Sequence, residues 1–237
     1  MSREEAYAHW SRLHGGLDPR TSFWVSGWVR LSHACARPLA RRGVRPDTVT
    51  VTAVLVTAVA AGLAALGDGW PLPALVVLVG AAVLDGVDGA LAAQTGAASR
   101  WGSVLDPLAD RVADLLALLA LVALAGFAGL AVALGVAAGV LTLLLESVRS
   151  TAQVAGMTGP GAVTVWERPS RVIVASFGFL ACGIAWAARR SGVDLLPAVD
   201  QPALATTALA VAVALGAAGL VRLLVAVRRA LPRRPPR

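Results

Sequence analysis

From Leu115 to Leu145 the chain runs without a charged residue, built almost wholly from Leu, Ala, Val and Gly. A stretch of that length can cross the hydrocarbon core of a bilayer, about 30 Å thick, at about 1.5 Å per helical residue. Lipid offers no water to backbone groups left unpaired, so a spanning segment of this kind has to be helical. The feature points to an all-α polytopic membrane protein. Comparable apolar runs recur, and six spans are expected: about 48–66, 72 to past Asp85, 104–125, 127–145, 172–188 and 204–227. Gly126, Gly129 and the small residues around them are the only turn signal between the third and fourth. The 237 residues are 57% hydrophobic, above the roughly 45–50% of soluble domains. This length suits one compact membrane domain.

The formal net charge is +7, and every basic side chain is arginine. Basic chains of this kind can bind nucleic acid. Here the arginines flank apolar spans and lack aromatic stacking platforms or a nucleic-acid motif, so no such partner is expected. Eight arginines lie in 1–47 and six in 222–237, with Arg149, Arg168 and Arg171 in the fourth connection and Arg100 in the second. The opposite side holds only Arg189 and Arg190. Positive charge marks the cytoplasmic side, which predicts a multi-pass cell-membrane protein with both termini and the connection around Arg100 cytoplasmic. The expected organisation is a polar tail over 1–20, an amphipathic interfacial segment over 21–47, the membrane domain over 48–227 and a basic Arg/Pro-rich tail over 228–237. In the interfacial segment Phe23, Trp24, Trp28, Leu31 and Leu39 interleave with Arg30, Arg37, Arg41 and Arg42, as in a helix lying in the headgroup plane. The polar start carries no cleavable signal pattern. Cys35 and Cys182, the only cysteines, are not expected to pair.

Five of the 14 acids fall between positions 85 and 114: Asp85, Asp88, Asp106, Asp110 and Asp114. Ionisable groups beside such apolar runs are costly and mark function. Asp85 and Asp88 are i,i+3, Asp106 and Asp110 are i,i+4, and each pair shares one face of its helix. Two antiparallel helices joined by a short loop let all four converge. Their repulsion calls for cations, and carboxylate oxygens are hard ligands suited to Mg²⁺, Mn²⁺ or Ca²⁺. Gly86, Gly89 and Gly102, with Ala90, Ala92 and Ala93, keep the surroundings small, which suits either a phosphate approaching the backbone or close helix packing.

Asp85, Asp88, Gly89, Ala92, Gly102, Asp106 and Asp110 match the pattern D-x2-D-G-x2-A-R-x8-G-x3-D-x3-D at seven of its eight named positions, with every spacing kept. The chain thereby resembles the CDP-alcohol phosphotransferases. Pro46-Asp47-Thr48-Val49-Thr50 resembles that family's Pro-Asn-x-x-Thr, and Glu167-Arg168-Pro169 with Arg171 resembles members acting on phosphorylated acceptors. The resemblance implies six spans after an interfacial helix. It also implies a CDP-linked lipid donor such as CDP-diacylglycerol, a small alcohol acceptor, and a homodimer. Asp85, Asp88, Asp106 and Asp110 would hold two Mg²⁺ or Mn²⁺ ions, with Asp110 also the general base. Gly89, Ala92, Gly102, Asp47 and Thr50 would line the donor site, and Arg149, Arg168 and Arg171 the acceptor site. Two departures stand out: the motif arginine is Ala93, for which Arg100 or Arg111 would compensate, and Thr151 stands where a second basic residue often follows Arg149.

Two other classes would use the same residues. An ion or metal transporter predicts acids deep in several spans, yet the first, fourth, fifth and sixth have none in their middles. A non-catalytic binding protein derived from the family has no reason to keep four costly carboxylates. His9, His14 and His33 lie in the polar N-terminal region at no ligand spacing and read as surface or interfacial groups.

Overall fold

A computed structural model describes residues 3–13, 16–157, 162–193 and 199–231, and these are helical with no strand. The helices among them are α1 (Arg3–Leu13), α2 (Phe23–Arg41), α3 (Pro46–Ala65), α4 (Pro71–Thr95), α5 (Gly102–Leu124), α6 (Gly129–Val154), α7 (Arg168–Arg190) and α8 (Gln201–Ala230). Helix starts follow local chemistry. Pro46 and Asp47 open α3, and the Asp200 carboxylate caps α8 by accepting from the Ala203 N–H at 2.8 Å. Between α5 and α6, Gly126 and Phe127 both adopt positive φ, 68° and 54°, which breaks an otherwise continuous apolar run.

Among the described residues five helices, α3, α4, α6, α7 and α8, are long and apolar enough to cross a membrane. The remaining expected span is α5, whose first half carries Asp106, Asp110, Arg111 and Asp114; this charge keeps it out of that set. The stretch read as a polar tail contains α1, which the apolar pattern alone did not mark. His14 and residues 232–237 of the basic tail lie outside the described residues.

The chain packs as two compact units, Met1–Ala58 with Val77–Ala113 and Val59–Val76 with Asp114–Arg237. In the first, α2 has three stripes at helical spacing. Val25, Val29, Ser32 and Ala36 turn inward. Val29 packs with Ala6 and Tyr7 of α1, and Ala36 with Val49, Val87 and Leu91. Trp24, Trp28 and Leu31 form an exposed apolar stripe, and Arg30, Arg37 and Arg41 an exposed cationic one. The helix is clasped to α4 at two levels. A Cβ on Gly86 would stand 2.6 Å from the Ser32 Oγ and 2.9 Å from the Trp28 Nε1, so α2 rests on bare α4 backbone. The Gln94 side-chain N–H₂ donates to the His33 carbonyl at 3.0 Å.

In the second unit α8 packs against α6 and α7. Several glycines act as sockets. A Cβ on Gly183 would be 2.4 Å from Leu72, one on Gly178 2.7 Å from Leu121, and one on Gly135 2.4 Å from Val122. Gln201 donates to the carbonyls of Asp68 (2.6 Å) and Cys182 (3.1 Å), tying the turn after α3 to α7. Both cysteines are free thiols.

Candidate metal centre

Of the four acids expected to converge, three do so in the first unit. Asp85 of α4 and Asp106 and Asp110 of α5 each offer a carboxylate oxygen within 4.8 Å of the others. Asp106 is exposed, while Asp85 and Asp110 are half-buried. Like charges at this separation repel by roughly 3–4 kcal/mol per pair at an effective dielectric of about 20. Arg111, 3.5 Å from the Asp110 Oδ2, offsets part of it. Three convergent hard oxygen donors at the end of an apolar helix fit a hard divalent cation.

Asp88 stands apart from that trio. It is buried, its Oδ2 accepts from the Thr50 hydroxyl at 2.6 Å, and its Oδ1 accepts from the Gly89 N–H at 2.6 Å. Thr50 reaches it because α3 sets Val49 into the cluster with Val87 and Leu91, which turns the neighbouring hydroxyl toward α4. Each Asp88 oxygen keeps a second lone pair. Of the other donor-site candidates, Gly89 is exposed and nothing lies within 4 Å of where its Cβ would be. Gly102 donates its N–H to the Ser99 hydroxyl at 2.9 Å, and its Cβ position is 3.5 Å from the Asp47 Oδ1. Ala92 and Ala93 are half-buried on α4. Arg100 is exposed, and Arg111 is turned to Asp110.

The arginines expected at an acceptor site are found in the second unit within a network of acids. Arg171 is buried; it donates to Asp114 at 2.7 Å, to Glu146 at 3.0 Å and to the Trp166 carbonyl at 3.0 Å. Arg168 lies 3.6 Å from Asp114. Arg149 forks onto Glu167 at 2.8 and 3.1 Å. Trp166, wholly buried, donates its indole N–H to Thr142 at 2.9 Å and sits against Gly216 and Gly219. Burial alone would raise the Glu167 carboxyl, but hydrogen bonds from Arg149 and Thr164 outweigh it and hold it below the usual carboxylate range. Its contribution to stability is therefore present above that range and lost only as pH falls through the lowered value. Three guanidiniums face three carboxylates, a balance that the positions of the arginines alone did not disclose. Asp114, grouped by sequence with the other acids, is spent here, and Glu146, Thr142 and Trp166 join it. A signal for Asp114 existed: a buried acid one turn beyond Asp110 demands a cation.

Of the histidines, His33 takes part in the clasp between α2 and α4.

Comparison with known proteins agrees with this reading. The family model described as CDP-alcohol phosphatidyltransferase matches residues 44–218. The phosphatidylinositol phosphate synthase of Mycobacterium marinum is 31% identical over 156 residues, which span 65% of this chain and 65%, just under two thirds, of that protein. Among solved structures, the Mycobacterium tuberculosis phosphatidylinositol phosphate synthase with CDP-DAG bound has a TM-score of 0.66 at 24% identity, covering 87% of this chain and 100% of that one. The same synthase in complex with manganese and citrate also gives 0.66, at 23% identity, over 86% of this chain and 93% of that one. At these identities the two structures establish the fold.

Proposed function

The chain belongs to the CDP-alcohol phosphatidyltransferase family, and from that membership we propose that it transfers a phosphatidyl group from CDP-diacylglycerol to the hydroxyl of a small alcohol, releasing CMP. The observation that carries this reading is the convergence of Asp85, Asp106 and Asp110 on one point, with Asp88 oriented beside them by Thr50. The four carboxylates would hold two divalent ions, Mg²⁺ or Mn²⁺, which when bound supply neutralisation for the pyrophosphate and the departing CMP. The relatives' solved complexes with CDP-DAG and with manganese support both assignments.

Asp110 takes the proton from the acceptor hydroxyl. That oxygen bonds to the phosphorus carrying diacylglycerol, the bond from this phosphorus to the bridging oxygen breaks, and CMP leaves with the electron pair. Gly89, open where a side chain would stand, gives the nucleotide access to α4, with Ala92, Gly102, Asp47 and Thr50 around it. Thr50 acts through Asp88 by fixing its carboxylate. Arg149, Arg168 and Arg171 are the proposed acceptor-side cations. The relatives' shared name makes inositol phosphate the first acceptor to try. The pairing of these arginines with Asp114, Glu146 and Glu167 is the reason to try the unphosphorylated alcohol beside it. The assembly proposed is a homodimer, with the carboxylates on the cytoplasmic side.

The test is CMP release by purified protein given CDP-diacylglycerol, Mg²⁺ or Mn²⁺ and a panel of alcohols. Release should require both an acceptor and the ion, and a chelator should abolish it. Ion flux into liposomes without CMP release would instead favour a transporter, and neither activity a binding protein. Topology is checked separately: reporter fusions after Arg100 and Arg237 should read cytoplasmic and one near Gly69 external. An external signal at Arg100 would put the carboxylates on the wrong face.

A further inference from the structure

The exposed side of α2 carries its cations in an ordered way. Arg30, Arg37 and Arg41 are spaced i, i+7, i+11 along Phe23–Arg41, so they form one stripe, continued by exposed Arg42 and Arg45. No acid occurs between Asp18 and Asp47. Among the described residues none of these five has an ion-pair partner; Arg30 only donates its Nε–H to the Ser26 carbonyl at 3.3 Å. Glu4 of α1 is taken by Arg20. Beside the stripe run Trp24, Trp28 and Leu31, which are 82%, 41% and 44% exposed, with Phe23 at 77%. Large apolar side chains on one edge and unpaired guanidiniums on the next match the two layers of a lipid surface, acyl boundary and phosphate. The inward stripe of the same helix rests on Gly86, between Asp85 and Asp88.

We infer that this face of α2 is a docking surface for anionic phospholipid headgroups, and that α2 passes the contact to the metal carboxylates through its seat on Gly86. Guanidiniums supply the selectivity: they bind phosphate-bearing anionic headgroups in forks that a zwitterionic leaflet, with its own cation, satisfies less well. Gly86 supplies the coupling: with no side chain between the helices, a shift of α2 is a shift of the backbone that carries Asp85. The docking surface is independent of the reaction proposed above; the coupling rests on it.

The full chain, purified in detergent, is titrated with phosphatidylglycerol or phosphatidylcholine while its melting temperature is followed. Phosphatidylglycerol should raise the melting temperature more, and added salt should weaken the difference. In R30Q/R37Q/R41Q its apparent affinity should fall on the order of a hundredfold, from about 1 kcal/mol per cation at a lipid surface. The corresponding triple Lys variant should keep most of it. Equal shifts with both lipids, or an unchanged response in the Gln variant, would overturn the surface. CMP release in nanodiscs tests the coupling: it should rise with phosphatidylglycerol in the wild type and not in the Gln variant. Lipid binding with no change in release overturns the coupling alone. Absence of release in every lipid refutes the proposed reaction, and the melting shift still judges the surface. Gly86→Ala should bind phosphatidylglycerol yet lose the response, and Ser32→Ala added to it should restore only part, because the nearest Ser32 atom then stands at 3.6 Å while the Trp28 Nε1 stays at 2.9 Å.

Discussion

Asp110→Asn should lose about 10²–10⁴-fold in turnover, the usual cost of removing a general base, while donor affinity changes little. The substitution keeps size and one carbonyl ligand, but its amide cannot take a proton. Asp85 and Asp106, which complete the trio within 4.8 Å, should behave differently. Asp85→Asn and Asp106→Asn remove charge from the donor set but no base, so turnover should recover toward wild type at saturating Mn²⁺. Asp110→Asn removes a charge and the base, so its turnover should stay low when Mn²⁺ binding, followed by its paramagnetic signal, is saturated. Asp110→Asn with intact turnover at saturating donor and a large loss of donor affinity would make Asp110 a ligand and not the base. Ala93→Arg is the complement: a donor affinity that rises shows a missing cation, and one that stays level shows that Arg100 or Arg111 already fills the place.

Arg171→Ala should destabilise the fold by roughly 3–5 kcal/mol, the cost of leaving a buried charge without its partner. Asp114 would stay inside with Arg168 3.6 Å away, and Glu146 would lose its 3.0 Å donor. The melting temperature in detergent should fall accordingly. Adding Asp114→Asn should recover a large part of the loss, since the two side chains share one interaction and their effects do not add. A normal melting temperature with a raised KM for the acceptor would identify Arg171 as a substrate ligand and not a structural cation.

Much of the architecture could be read from the residues because helical membrane proteins announce themselves through long apolar runs. The expected spans overlap α3 to α8 closely, and the interfacial segment over 21–47 encloses α2. Convergence of Asp85, Asp106 and Asp110 followed from spacing alone, because helical periodicity is local. The ion-pair network did not follow. Arg171 and Asp114 are 57 positions apart, Arg171 and Glu146 25, and Arg149 and Glu167 18. No periodicity links residues across such distances. The separate position of Asp88 was hidden for a similar reason: its fate depends on Thr50, 38 positions earlier. The helix α1 was illegible because its apolar anchors, Ala6 and Tyr7, are few and gain their meaning only against Val29.

The glycine sockets of the second unit have a mechanical consequence. Leu72 is seated at Gly183 and Leu121 at Gly178, each so close that even one methyl group would collide. Axial sliding of α7 by about one helical turn would bring Phe179 or Ala187 opposite Leu72, and Val174 or Cys182 opposite Leu121. Shear, the small gliding by which packed helices usually accommodate motion, is therefore blocked along this helix. The sockets work as detents that hold α7 in one register. Any opening needed to admit a lipid tail or free a product must then come as a tilt about the connecting turns, with the teeth of this ratchet still engaged.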